Sequence, residues 1–192
     1  MPVLEMTQLR LKRLPADDPA LLQSLATVRD KLHTNSQFYN CVKDSTIIYI
    51  LGVWPSLDAH LEFLASPERD EILGPQEDML QFCWTIHVEI GGDMSSLPLD
   101  APILSIERIR VQEGSTSAFG QSMKGHLQEL QGSHHFKAAH GRWCDTTPEN
   151  HEGLIFSGWP TVQAHVIFAT KDDCDEQYEM IQIIHVRNLE HK

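Results

Sequence analysis

Two peptides in this sequence place a histidine where it can do chemistry. WPSLDAHLEF fills residues 54–63 and WPTVQAHVIF fills residues 159–168. Trp, Pro, Ala, His and Phe recur at identical spacing, so His60 corresponds to His165. Imidazole is the side chain whose ordinary pKa lets it take or give a proton near neutral pH. On a helix at 100° per residue, His60 falls near the middle of an apolar arc made by Leu57, Leu61, Leu64, Phe63 and Ala59. Asp58 and Glu62 take the solvent side. Val162, Val166, Ala169, Phe168 and Ala164 surround His165 in the same way. Both histidines are predicted to point from the first turns of a helix towards a sheet. Burial and a positive helix N-terminus both favour neutral imidazole, the form that accepts a proton. Trp54 and Trp159 each close the preceding strand and supply a flat apolar wall, with Phe63 close by.

A second pair accompanies the first. Ile-His-Val at residues 86–88 recurs at residues 184–186. His87 alternates with Cys83 and Thr85, opposite an expected apolar face of Phe82, Trp84, Ile86, Val88 and Ile90. That parity puts His87, and by correspondence His185, on the helix-facing side. His60, His165, His87 and His185 are the candidate catalytic residues. Trp54, Trp159, Tyr49, Trp143 and Phe63 are the candidate substrate-binding residues. Each also has a structural reading: a buried histidine can pin a loop by a hydrogen bond, and strand aromatics are usually core. His134, His135, His140 and His151 invite a metal reading. They lack an HxxxH helix pattern or a carboxylate-rich loop, so no metal is expected. GxGxxG, GxxxxGK[ST] and GxSxG are absent from the sequence, and no organic cofactor is expected.

The surrounding elements repeat as well. TQLRLKRL has the two-residue rhythm of a strand. DPALLQSLATVRDKL reads as a helix with Asp18 as N-cap and Pro19 at the first position. QFYNCVK and STIIYILGVW read as strands, the first peptide follows as a helix, and MLQFCWTIHVEI closes the half. ILSIERIRV, a glycine-containing helix over residues 115–131, HHFKAAHGRW, GLIFSGW, the second peptide and YEMIQIIHV give the same order. The predicted architecture is α+β, with two tandem ferredoxin-like β-α-β-β-α-β repeats forming a pseudo-dimeric α+β barrel. Residues 1–92 form the first repeat, 93–102 a Gly-, Ser- and Pro-bearing linker, and 103–192 the second. The bare apolar faces of two such sheets can bury each other. The expected state is a monomeric pseudo-dimer or a homodimer, and one half alone should be insoluble or self-associate.

Composition narrows the partners. The chain has 192 residues and a formal charge of −12, which argues against nucleic acid and anionic membrane surfaces. No apolar run approaches the ~20 residues of a membrane-spanning helix. The start lacks a signal-peptide pattern. Cys41, Cys83, Cys144 and Cys174 form no CxxC pair, so a cytoplasmic protein with reduced thiols is expected.

WPSLDAHLEFLASPER resembles the W…AH…SP signature of the antibiotic-biosynthesis-monooxygenase-like dimeric α+β barrel superfamily. His-Val on the closing strand is similar to that superfamily too. The second half departs from the signature, with ATKDDCDE in place of LASPERDE. The resemblance implies a pocket between each sheet and its helices. It implies activities ranging over cofactor-free oxygenation of aromatic polyketides in secondary metabolism, cyclisation, decarboxylation and haem degradation. The expected function is therefore cofactor-independent acid/base chemistry on a small apolar aromatic or polyketide-like metabolite, as monooxygenase, cyclase, isomerase or decarboxylase. A non-catalytic ligand-binding or stress-response barrel is the alternative, and a haem-binding or haem-degrading protein is the third. Only one half is expected to keep a ligand-sized cavity, with preference for the first.

Overall fold

The computed structural model describes residues 1–90, 94–111, 127–128, 132, 136–144, 152–169 and 178–190. The chain divides into two compact units, Met1–Glu89 with Arg187–Lys192, and Ile90–Val186. The first contains β1 (Val3–Leu11), α1 (Pro19–Leu32), β2 (Gln37–Cys41), β3 (Ile47–Trp54), α2 (Leu57–Ala65), α3 (Pro67–Leu73) and β4 (Leu80–Ile90). The second contains β5 (Ile103–Val111), β6 (Ala138–Trp143), β7 (Glu152–Trp159), α4 (Val162–Ala169) and β8 (Tyr178–Asn188) up to Val186. In the first, β1 pairs antiparallel with β3 and β4, and β2 pairs with β3. In the second, β5 pairs antiparallel with β7 and β8, and β6 pairs with β7. This is the α+β, ferredoxin-like class that the sequence predicts. The helix predicted over residues 115–131 lies almost wholly outside the described residues.

Local chemistry sets these elements. Asp18 caps α1, its carboxylate accepting from the Ala20 and Leu21 amides. His33 ends that helix in the left-handed region, φ 53°. Leu21 and Leu25 on α1 meet Leu9, Leu11, Phe38, Ile48 and Leu80 of the sheet in one core cluster. Ser56 caps α2, accepting from the Ala59 amide at 3.1 Å, and Thr161 does the same for Ala164 at 3.1 Å. These caps fix where the two histidine helices begin.

Two expectations need correction. Leu61, Leu64 and Val166 were expected to pack inward, but all three are exposed, as is Ile167. His60 is the buried residue of α2, and His165 that of α4. Helices of nine and eight residues meet the sheet along little more than one turn, so only the centre of the apolar arc is covered. The continuous face from Phe82 to Ile90 is also broken. The β1–β4 register runs Gln8↔Trp84 and then Leu9↔Phe82, so Cys83 is an extra residue in a β-bulge. Phe82 therefore takes the face of Leu9 and is 61 % exposed, while Trp84, Ile86 and Val88 take the other face. β8 has the same bulge at Ile181, between Arg108↔Gln182 and Ile109↔Met180.

No helix among the described residues is long and apolar enough to cross a membrane. Cys41 and Cys83 are free thiols.

Candidate functional site

The bulges determine where the strand histidines point. Beyond Cys83, the face of β4 that carries Thr85 and His87 is the one shared by Glu5, Thr7 and Leu9 of β1. That face meets the helices, because Leu9 packs with α1. His87 lies opposite Glu5 in the register, and His60 comes down onto it from α2. His60 Nδ1 and His87 Nε2 are 2.6 Å apart, with the rings nearly edge to face. Both are buried, at 4 % and 2 % exposure. His60 Nε2 faces Glu5 Oε2 at 3.8 Å, beyond hydrogen-bond length. The Glu5 carboxylate accepts instead from the Trp54 indole N–H and the Thr7 hydroxyl. Thr7 also meets Thr85 at 2.6 Å.

The second unit builds the same chain from different positions. His165 Nδ1 lies 2.7 Å from His185 Nε2, again with the rings nearly edge to face. His165 Nε2 lies 3.1 Å from Glu107 Oε1. Alignment through the tryptophans makes Ser105 the counterpart of Glu5, and Glu107 the counterpart of Thr7. Carboxylate and hydroxyl have changed places between adjacent positions on one strand face. Glu107 is 5 % exposed and accepts from Ser105 at 3.4 Å and Ser157 at 3.5 Å. Trp159 reaches the carboxylate through Ser157, donating to its hydroxyl at 2.8 Å. The matching position in the first unit is Gly52, where a Cβ would stand 2.5 Å from Ser36 Oγ.

Tautomers follow from the geometry of the second unit. A carboxylate only accepts, and Glu107 Oε1 lies at ion-pair distance from His165 Nε2, so we assign the His165 proton to Nε2. Its Nδ1 then faces His185 Nε2 at 2.7 Å and the Ser105 hydroxyl at 3.4 Å, and with His185 Nε2–H as the donor, His185 Nδ1 keeps its lone pair. Burial, and then the neighbouring His165, hold the His185 pKa below its ordinary value, with Glu107 opposing. Such a chain can take a proton at its outer imidazole and share the charge with a buried carboxylate.

The aromatic candidates separate by sheet face. Trp54 stacks on His60 at 4.4 Å and 12°, and Phe63 stacks on Trp54 at 5.4 Å. Trp159 is tilted against His165 at 4.8 Å and against Phe168 at 5.2 Å. Tyr49 pairs with Gln8 and so lies on the opposite face of the first sheet, 6.1 Å from Trp84. Burial raises its phenol pKa. Trp143 lies under the Arg108 guanidinium, 4.5 Å from the ring centre, and its indole N–H is buried without a hydrogen-bond partner. Arg108 alternates with Glu107, which places Trp143 away from His165. Of the metal candidates, His134, His135 and His151 lie outside the described residues. Among the described residues, no group of three His, Cys, Asp or Glu is placed to hold a metal ion.

Sequence reasoning missed Glu5 and Glu107. The predicted first strand began at Thr7, whereas β1 starts at Val3. The alternation Val3, Glu5, Thr7, Leu9, Leu11 was the available signal. Glu107 lay within a predicted strand, on the face of Ile103, Ser105 and Ile109.

No family model matches this chain. No curated protein matches it. Solved structures do. One is an anthrone oxidase-like protein, 12% identical, with TM-score 0.64, covering 97% of this chain and 91% of that one. Another is a heme-binding protein from Thermus thermophilus, 10% identical, with TM-score 0.65, covering 97% and 90%. A third, from Lactobacillus acidophilus NCFM and provisionally named a monooxygenase, is 10% identical, with TM-score 0.61, covering 98% and 94%. At these identities the likeness shows the fold alone.

Proposed function

We propose that this chain is a small cytoplasmic enzyme of the antibiotic-biosynthesis-monooxygenase-like superfamily, acting on an apolar polycyclic or polyketide-like aromatic compound by histidine acid/base chemistry. The observation that carries this reading is the carboxylate–histidine–histidine chain beside a tryptophan wall, seen most completely in Glu107, His165 and His185. The outer imidazole takes a proton from an acidic phenol or from a C–H flanked by carbonyl and aryl groups. The imidazolium that forms is stabilised through the relay, while the buried Trp159 indole packs on His165 and holds the inner ring in place. That anion then meets dioxygen, or cyclises, or loses a group. For an anthrone the oxygenation balances as anthrone plus dioxygen giving anthraquinone plus water. The similarity to an anthrone oxidase-like protein makes an anthrone a suitable probe. A haem-binding protein is the third reading: both ring nitrogens of His165 are engaged within its relay, but His185 Nδ1 keeps a lone pair that an axial bond would use.

The test is aerobic turnover of dithranol, followed by quinone absorbance and oxygen uptake. One dioxygen should be consumed per anthrone, and loss of the relay base should slow turnover by about 10²–10⁴-fold. Quenching of indole fluorescence without turnover would favour the non-catalytic binder. A Soret band on adding hemin, with no effect of dithranol, would favour the haem protein.

A further inference from the structure

The two relays share residue types but not surroundings. His87 is 2 % exposed, whereas His185 is only half-buried. A base must meet its substrate, and the relay in the first unit offers no exposed imidazole. The proton path differs too. Glu107 and His165 are 3.1 Å apart, a close ion-pair distance, and His165 and His185 are 2.7 Å apart. Glu5 and His60 are 3.8 Å apart, and Glu5 is already taken by Trp54 and Thr7.

The approach to the outer histidine differs in a third way. Two residues before His185, on the same strand face, Ile183 is 42 % exposed. The matching residue before His87 is Thr85, locked to Thr7 at 2.6 Å. Beside His185 the strand face carries a partly exposed apolar residue. Beside His87 the matching place is filled by a pair of hydroxyls.

We infer that the chain has one reactive relay, in which His185 is the catalytic base and His165 and Glu107 are positioning residues, while Glu5, His60 and His87 form a framework that ties α2 to its sheet. This assignment rests on the acid/base function proposed above. It places the reactive site in the second half, against the preference that the sequence signature gave to the first. The depressed pKa of His185 agrees, because its imidazole is then neutral and ready at neutral pH. Of the described charged and titratable groups, His165 on α4 and Glu107 on β5 are the ones that act on it.

Carbethoxylation of the intact chain by diethyl pyrocarbonate, read residue by residue from peptide masses, tests the assignment without needing turnover. His185 should react about tenfold faster than His60, His87 or His165, as an accessible neutral imidazole does beside buried ones. Glu107→Gln should move the pH midpoint of His185 modification downward, because an anion that raises its pKa is removed. Glu5→Gln should leave that midpoint in place. If Glu107→Gln does not fold, Ile183→Trp at an exposed position serves instead. It should slow His185 modification by crowding the approach. His87 reacting as fast as His185 overturns the assignment, as does a midpoint unmoved by Glu107→Gln, or Ile183→Trp without effect. Dithranol separates the two levels. Wild-type protein without turnover refutes the enzyme reading and leaves the reactivity order standing. Turnover lost in His87→Gln but kept in His185→Gln overturns the assignment and leaves the enzyme reading standing.

Discussion

Each helix histidine meets its strand histidine at hydrogen-bond distance, 2.6 Å in the first unit and 2.7 Å in the second. This shapes what substitution does. His60→Ala leaves His87 without its partner in a buried site and should lower stability by about 1–3 kcal/mol in urea unfolding. His60→Gln keeps a donor and an acceptor there and should recover most of that loss. Equal losses in the two variants would mean that ring packing against Trp54, not the hydrogen bond, holds α2. His165→Gln should fold and yet turn over dithranol about 10²-fold more slowly, because its amide cannot relay a proton. His185 adds a pH dependence with a defined sign. Its folded-state pKa lies below the ordinary 6.5, so protonation opposes folding. Its contribution to stability is complete above 6.5 and is lost as the pH falls through the depressed value. The acid limb of kcat/KM for dithranol should accordingly have its midpoint below 6.5, and a midpoint above that value would point to another base. The histidines were legible because they occur twice at fixed spacing. Their carboxylates were not, because Glu5 and Glu107 sit two residues out of step when the two strands are aligned, and a lone acid in a strand otherwise reads as a solvated residue.

At the level of elements, the bulge does what composition cannot announce. Strict alternation would carry Leu80 and His87 to opposite faces of β4, but the extra residue at Cys83 lets both face the helices. Deleting Cys83 should therefore force a choice. Either Leu80 leaves the core or His87 leaves His60. The expected loss is about 2–5 kcal/mol, on the scale of a large core truncation. Cys83→Ser at the same exposed position should stay within about 0.5 kcal/mol. If the deletion is as stable as the serine variant, the strand has slipped without consequence and the bulge does not set the site. The sequence showed β4 as a strand and gave His87 its face. It could not show that Phe82 lies beyond a break in parity, because an extra residue leaves no mark on local propensity. Gly52 offers a second element-level test. A Cβ there collides with Ser36 Oγ, so Gly52→Ala should lose about 1–3 kcal/mol by overpacking. Adding Ser36→Ala should return part of it, a coupling visible only in the double variant.

At the scale of the molecule, the order of elements was readable because period-two and helical rhythms repeat through both halves. The placement of residues 187–190 was not, because nothing local marks which core Leu189 will join. The C-terminal residues, from Arg187 on, belong to the first unit. Leu189 packs against the core around α1, and its amide donates to the Phe38 carbonyl at 2.8 Å. Arg29 holds Glu190 through two contacts of 2.6 and 3.0 Å, and Asn188 donates to Gln37 at 3.2 Å. A chain ending at Val186 keeps every β5–β8 register pair but loses all of these. The apolar packing of one leucine, a bidentate ion pair only partly exposed and two hydrogen bonds together make an expected loss of about 2–4 kcal/mol. The loss should be local. Hydrogen exchange should quicken in α1 and β2, far along the sequence from the cut, while the amides of β5 and β7 keep their protection. Even loss of protection through both units would mean that they unfold as one cooperative body, and loss confined to β8 would mean that the tail does not brace the first unit.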